Sequence, residues 1–500
     1  MNFKRRRAVA LVASLLAGRN TIPFAQEKNA QIQSPPKRPL IVVLPGIGGS
    51  VLSVRGKVVW SPTVSGLSQA LVTLGGSLAD LRLSESDARK PGRDSAGVTA
   101  DSLVQDLHIL PGLWKIDGYS ALLASLRALP GTRMGVNLFA FPYDWRRDNR
   151  ISAQELAVSC HLWLKRWREV SGQSDARIAF VAHSMGGLVA RYFIECLEGW
   201  KITSALVTMG TPFRGSLNAV STLHDGQQIF GSLQLPEVDE LLRSCTSVYQ
   251  LLPTYPCIGV DGKDMRVSEL SGLRGIDQGR ASDGMRFHRE IEEAVQKNSA
   301  ESAYVADRYR IHPVVGTSQR TLQHGELANS SIVFGSAFPG LEIDGDGTVP
   351  RPSATPLDLE GKDMELFIAE SHGSLQNSDF VLNQIRGLIT SPALDWSKFR
   401  GRRQGSSLDV PFATLAGEII EIGGKVNTVV HEAKVDLSIY DARSGTLLKE
   451  FKIVCDDSGG FSINVAPLRA AAYRVTATFF RKPLSDVEMV TDTFVVLPSA

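Results

Sequence analysis

Short runs of mostly apolar residues recur along much of the chain: Leu40–Leu44, Val136–Phe141, Ile178–Ala182, Ala205–Met209, Ile332–Phe334 and Leu366–Ala369. Each is too short for a helix and is bounded by Gly, Pro or polar residues, as expected of a strand buried on both faces. Between several of them the period changes. After Ser152, with Glu155 three residues on as a capping box, Leu156, Cys160, Trp163, Trp167 and Val170 fall on one helical face. Strands of this kind alternating with helices predict an α/β fold around a parallel sheet. The spacing is uneven, with about ninety residues between the first two runs and more than a hundred between Met209 and Ile332. Loops that long do not suit a compact domain, so both stretches read as insertions with structure of their own, a cap or lid over one end of the sheet.

The texture shifts near Ser397. Ser397–Ser407 is basic and rich in Gly and Ser, and 397–408 reads as a linker. Beyond it the period becomes two: Val435, Leu437, Ile439; Phe461, Ile463, Val465; Tyr473, Val475, Ala477, Phe479. Turn signals at Asp441–Gly445 and Asp456–Gly460 separate these runs, which predicts an antiparallel, immunoglobulin-like β-sandwich over 409–500. No cluster of chemistry lies within it, so its default reading is a packing or attachment module. The main domain then spans 39–396.

At the other end, Lys4, Arg5, Arg6 and Arg7 precede ten apolar or small residues, Ala8–Ala17. A basic start and a short apolar run have the shape of an export signal, and Arg6-Arg7 could open a twin-arginine version. No clean small-x-small cleavage site follows. Two readings stay open: export to the periplasm or the medium, or a basic tail on a cytoplasmic chain. Residues 18–38, with Pro35-Pro36, read as a linker.

Composition narrows the function. The 500 residues carry 54 Lys+Arg and 52 Asp+Glu, a net charge of +2, so no basic field argues for nucleic acid. No apolar run reaches the ~18 residues of a membrane span. Five Cys are too few for a disulfide scaffold and show no metal spacing. Cys160 and Cys196 read as buried apolar fillers. Cys245 and Cys257 lie close enough in sequence to bridge if the protein is exported.

The strongest chemical signal is Ile178-Ala179-Phe180-Val181-Ala182-His183-Ser184-Met185-Gly186-Gly187. A buried strand runs into a tight turn at Ser184 and a helix leaves at once, the context of a nucleophile elbow. The strained turn needs small residues two positions either side, and Ala182 and Gly186 are small. A serine hydroxyl needs a base, and the base needs an orienting carboxylate, in the chain order Ser, acid, His. Of the His after Ser184, His372 follows the run Leu366–Ala369 and precedes a helical pattern, which puts it in a loop at the carboxyl end of a strand. His324 sits in a polar insertion and reads as solvated. The acid falls in Asp344-Gly345-Asp346-Gly347-Thr348-Val349-Pro350, with Asp346 favoured and Asp344 in reserve. An oxyanion needs preorganised donors. The amide of Met185 is one, and Ile47 in Pro45-Gly46-Ile47-Gly48-Gly49-Ser50 is the choice for the other. No Gly-Lys-Ser/Thr follows these glycines, so a phosphate loop is not indicated. None of this chemistry calls for a metal or organic cofactor.

Several segments together resemble the lecithin:cholesterol acyltransferase-like α/β hydrolases, which include lysosomal phospholipases and phospholipid:diacylglycerol acyltransferases. The matching stretches are Val43–Leu52, Val59-Trp60, Pro142-Tyr143-Asp144-Trp145-Arg146, Ala182–Tyr192, Thr208–Ser216, Gly345–Pro350 and Ser371-His372, in the family's order. The resemblance implies an α/β-hydrolase fold with lid and acyl-binding insertions at 46–115 and 213–330. It implies Ser184, Asp346 and His372 as a triad, and Ile47 with Met185 as the oxyanion hole. The expected activity is a serine acyl hydrolase or O-acyltransferase on lipid esters, met at a membrane or micelle surface. Trp145 could line the acyl site; equally, Asp144 and Arg146 could brace the strand end as a structural pair. A short-chain carboxylesterase and a silent lipid- or surface-binding protein are the alternatives. The chain departs from the family in having Ala182 for the first elbow glycine, no Cys before Cys160, and the extra C-terminal region.

Overall fold

A computed structural model describes residues 38–60, 81–84, 97–105, 108–110, 114–226, 228–230, 233–234, 236–329, 331–337, 343–360, 362, 364–390, 405–426, 433–480 and 487–498. The export-signal reading, most of the 1–38 and 397–408 linkers and much of the first insertion lie outside them.

The parallel sheet has six strands: β1 (Leu40–Leu44), β2 (Leu138–Ala140), β3 (Ile178–His183), β4 (Thr203–Met209), β5 (Arg310–Thr317) and β6 (Leu366–Ala369). Their order is β6-β5-β4-β3-β1-β2, with every neighbouring pair parallel. β1 and β3 are buried at every residue, as strands of Val/Ile/Leu/Phe/Ala, with only His183 polar, require when covered on both faces. The chain steps from β1 to β2, then returns to the other flank of β1 to place β3. That reversal makes a switch point between β1 and β3, the place beyond the carboxyl ends of the strands where α/β sheets bind their ligands.

Among the helices of the described residues are α1 (Ser120–Arg127), α2 (Asn149–Ser171), α3 (Met185–Cys196), α4 (Gln278–Ser299) and α5 (Asp379–Thr390), of which α2 and α3 pack on β1. α2 packs on α3, α3 on α4, and α1 on α5. α2 begins before the capping box read at Ser152. Asp148 is its cap, accepting from the Arg150 amide, and Gly172 ends it at φ 69°. Leu156, Cys160 and Trp167 are buried as the helical period demands, whereas Val170 is exposed.

Two strand assignments change. Ile332–Phe334 is not in the central sheet; Ser331–Gly335 pairs antiparallel with His324–Ala328 in a small four-stranded sheet. The central place goes to β5, Arg-Ile-His-Pro-Val-Val-Gly-Thr, whose Arg310, His312 and Pro313 break the apolar run. Pairing of β5 with β6 starts at Val314, so on that flank the strand is an edge at Pro313, where a missing donor is tolerated. The stretch 213–330 is therefore not a single insertion, because 310–317 belongs to the sheet. His324 is buried rather than solvated, and its Nε2 lies 2.8 Å from Asp264 Oδ1. All five Cys are free thiols, so the Cys245–Cys257 bridge is absent; Cys245 Sγ instead donates to the Leu241 carbonyl.

In the first insertion, Ser50–Val54, Lys57–Trp60 and Val98–Leu103 form a three-stranded antiparallel sheet. Toward the C-terminus, Ser406–Asp409, Ile420–Val426 and Gly460–Val465 make one sheet. Ala413–Leu415, Lys434–Asp441, Leu447–Val454, Ala471–Phe480 and Val487–Leu497 make another. Val435, Leu437, Ile439, Val475, Ala477 and Phe479 point into one apolar cluster with Ile422, Phe461 and Val465 of the smaller sheet. Strand structure already begins at Ser406, inside the stretch read as a linker. Among the described residues no helix is long and apolar enough to cross a membrane.

Candidate active site

β3 ends at His183, and Ser184 turns the chain into α3 with φ 51° and ψ −127°, backbone that a non-glycine residue rarely adopts. The turn is held from outside: the Ser184 amide donates to the Met209 carbonyl at the end of β4, and Thr211 Oγ1 donates to the Ser184 carbonyl. Crowding explains the small neighbours. A Cβ on Gly186 would stand 2.4 Å from the Pro45 carbonyl oxygen, and one on Gly46 would stand 2.9 Å from Ser184 Cβ. The loop after β1 therefore lies directly against the serine.

The structure brings Ser184, His372 and Asp346 together, although they come from three different loops. His372 Nδ1 lies 2.7 Å from Asp346 Oδ2, and its Nε2 lies 2.9 Å from Ser184 Oγ. A carboxylate only accepts, so Nδ1 carries the proton and Nε2 of the neutral ring accepts from the hydroxyl. Asp346 Oδ1 is turned away from the histidine by the amides of Thr348 and Val349, at 2.9 and 2.6 Å. The His372 amide donates to the Asp346 carbonyl at 2.8 Å, which ties the two loops backbone to backbone. Asp344, the reserve, serves elsewhere: its Oδ2 accepts from the Ser318 amide and its Oδ1 lies 3.1 Å from Arg351 Nε. All three clustered side chains are at least 97% buried, since Ser184 is 2%, His372 3% and Asp346 1% exposed.

Behind them runs a second chain of hydrogen bonds that local sequence did not single out. The Gly46 amide donates to Tyr119 Oη at 2.8 Å, and Tyr119 Oη lies 2.9 Å from His183 Nδ1. His183 Nε2 lies 3.0 Å from the His372 carbonyl. A carbonyl accepts, so Nε2 bears the hydrogen, Nδ1 accepts, and the tyrosine donates; one tautomer satisfies every atom. His183 sat inside the elbow motif without a role, and nothing near Tyr119 in the sequence marks it. The Tyr143 hydroxyl adds a bond to the Pro45 carbonyl at 2.9 Å, and the Trp60 indole one to the Gly48 carbonyl at 3.0 Å.

Burial first and the nearby His372 ring second push His183 down from its ordinary 6.5 to about 3, against the opposing bond to the His372 carbonyl. The ring stays neutral in the fold but charges on unfolding below about pH 6.5. Its contribution to stability is complete above that pH and drains away as the pH falls toward about 3. Denaturant unfolding over this window should show a shallower pH slope in His183→Gln than in the wild type. The difference should reach at most about 1.4 kcal/mol per pH unit. Equal slopes would contradict a buried neutral ring.

Ile47 is buried in the glycine loop, and among the described residues its amide meets no hydrogen-bond acceptor. Met185 opens α3, where the first amides have no intrahelical acceptor and the helix dipole favours negative charge. Trp145 is not bonded to this group. It is fully buried, edge-on to Trp60 with ring centroids 5.2 Å apart, and its indole N–H has no partner among the described residues. Beside it, Arg146 grips Asp144 through two bonds, Nε to Oδ1 at 2.8 Å and Nη2 to Oδ2 at 2.6 Å, and donates to the Leu81 carbonyl. The brace between Asp144 and Arg146 is thus present. Among the described residues no group of three or more His, Cys, Asp or Glu side chains could hold a metal ion.

The family described as Lecithin:cholesterol acyltransferase matches residues 113–329, from before α1 to beyond β5. Over this stretch the chain is similar to the lecithin:cholesterol acyltransferase family. The matched stretch contains Tyr143–Arg146, the Ser184 elbow and the chain from 213 through β5. Among relatives, "Phospholipase A(1) LCAT3" of Arabidopsis thaliana is 26% identical over 134 residues, covering 24% of this chain and 28% of that protein. "Lecithin-cholesterol acyltransferase-like 4" of the same plant is 30% identical over 134 residues, covering 24% of each. The chain thus spans about a quarter of the length of these two relatives. Among solved structures, the Bacillus licheniformis lipase BlEst2 in its propeptide form aligns over 93% of this chain and 94% of that one, at 12% identity and a TM-score of 0.31.

Proposed function

We propose that this chain is a serine-dependent lipid-ester hydrolase or O-acyltransferase on an α/β-hydrolase scaffold, and that its C-terminal region is a β-sandwich. The observation that carries the reading is the series Ser184 Oγ, His372 Nε2, His372 Nδ1, Asp346 Oδ2 at the carboxyl end of the sheet. Ser184 Oγ attacks the ester carbonyl carbon while His372 Nε2 takes its proton. The tetrahedral oxyanion is met by the Ile47 and Met185 amides. As the carbon–oxygen bond breaks, His372 returns the proton to the leaving alcohol, and an acyl group stays on Ser184. Water or an acceptor alcohol, deprotonated in turn by His372, then releases it. Asp346 holds the ring in the tautomer both steps need.

The lipid class of substrate rests on the family match and on the names of the two plant relatives. Trp145 would line the acyl side, with an indole N–H still free to meet a polar group. Aryl esters of increasing acyl length, with and without phospholipid vesicles, test the class. Turnover should rise from acetyl and butyryl to long acyl chains and respond to vesicles. A maximum at the short acyl groups that ignores vesicles would leave a carboxylesterase instead. Adding a sterol or diacylglycerol and looking for new esters separates transfer from hydrolysis.

A further inference from the structure

The C-terminal β region touches the main fold at a particular place. His372 sits in Glu370-Ser371-His372-Gly373, and each of its three companions is tied, directly or through one residue, to the larger C-terminal sheet. Glu370 Oε1 accepts from the Thr491 amide at 2.8 Å and from the Ser371 amide at 3.1 Å. Ser371 Oγ donates to the Thr491 carbonyl at 2.5 Å. The Gly373 carbonyl accepts from the Asp117 amide at 2.9 Å. The Asp117 carboxylate is in turn held by Arg474, with Nε 3.0 Å from Oδ2 and Nη2 2.5 Å from Oδ1. Arg474 and Thr491 lie on Ala471–Phe480 and Val487–Leu497, which pair as Arg474 with Thr493 and Thr476 with Thr491.

The smaller C-terminal sheet holds the other loop. Gln319 pairs its backbone with Gly345, the residue before Asp346, at 2.9 and 3.3 Å. Its side chain then reaches the first strand of that sheet: Nε2 donates to the Ser406 carbonyl at 3.4 Å, and Oε1 accepts from the Leu408 amide at 3.1 Å. Apolar contact runs the same way. Ala369, the last residue of β6, belongs to the apolar cluster of the C-terminal region rather than to the main core. A Cβ on Gly405 would stand 2.1 Å from Ala369 Cβ, so the two backbones meet closely there.

We infer that the C-terminal β region is a positioning part of the active centre, one sheet holding the His372 loop and the other the Asp346 loop in register with Ser184. This rests on the triad reading above and extends it. A region that served only as a carrier or attachment module would have no reason to spend buried polar contacts on these two loops. Buried polar groups cost free energy unless paired, so each of these bonds also penalises any displacement of the loops. A misplacement of about 1 Å at reacting groups costs on the order of a hundredfold in rate.

The test uses the full chain with Arg474→Gln, Glu370→Ala, Glu370→Gln and, as a control on the outer strand, Lys452→Gln. The Lys452 side chain is 78% exposed and lies away from these contacts. Arg474→Gln and Glu370→Ala should lower kcat for a soluble aryl ester by about tenfold to a hundredfold with KM unchanged. Glu370→Gln keeps an acceptor oxygen for Ser371 and Thr491 and should recover most of the rate. A second readout needs no turnover: amide hydrogen exchange over residues 366–374 should quicken in the two damaging variants, and the low-field proton of the His372–Asp346 bond should broaden. Should Glu370→Ala not fold, Ser371→Ala removes a single bond to Thr491 and carries the same expectation. Folded variants with wild-type kcat and wild-type exchange, or with only a lower Tm, would overturn the inference. If the wild type turned over no ester but exchange still quickened, the loop-holding role would stand and the esterase reading would fall.

Discussion

Ser184→Ala should abolish ester turnover, with kcat falling on the order of a millionfold, the scale seen when the nucleophile of a triad is removed. A fluorophosphonate should label the wild type on the peptide that contains Ser184 and leave the variant unlabelled. The substitution removes one oxygen and keeps the Cβ, so stability should change little. Ser184→Gly should be equally inactive yet more stable. Position 184 is held at φ 51° and ψ −127°, and backbone strain of this kind costs on the order of 1–3 kcal/mol, most of which glycine escapes. A dead but stabilised glycine variant is what a residue strained for function leaves behind. Turnover and labelling that survive in Ser184→Ala would place the nucleophile elsewhere and remove the mechanism.

Asp346→Asn should lower kcat on the order of ten-thousandfold, because an amide facing His372 Nδ1 favours the wrong tautomer and cannot stabilise the imidazolium. Its neighbour gives the contrast. Asp344→Asn keeps an acceptor for the Ser318 amide and loses a pair with Arg351 that is about one third exposed, worth about 0–1 kcal/mol. Its kcat should stay within about tenfold of the wild type. Both are read by steady-state turnover of an aryl ester beside thermal unfolding. Equal losses in the two variants would mean that the loop as a whole matters and that the carboxylate at 346 has no particular role.

The two aspartates show how far the residue pattern reaches. Asp344 and Asp346 share one turn-rich segment between two strands, so residue type and place along the chain leave both as candidates. What separates them is which carboxylate faces His372, and that depends on the Gln319–Gly345 pairing and on the bond between the His372 amide and the Asp346 carbonyl. The strand Arg310–Thr317 stayed hidden for a related reason. Its Arg, His and Pro are unfavourable in isolation and are acceptable only where the neighbouring strand begins at Val314. Ile332–Phe334 erred in the other direction, since an apolar triplet carries no mark of the sheet it joins.

The residue order by itself determined the parts governed by short-range sterics and period: unbroken apolar strands that must be covered on both faces, the elbow whose turn demands Ala182 and Gly186 beside Ser184, and the alternating strands after residue 409. Tertiary structure decided the rest: the place of β5, the tautomer-setting chain from Gly46 through Tyr119 and His183, and the grip of Arg474, Thr491 and Gln319 on the two loops. These join residues far apart along the chain, and a hydrogen bond's partner is chosen by where packing delivers each group, which no local pattern encodes.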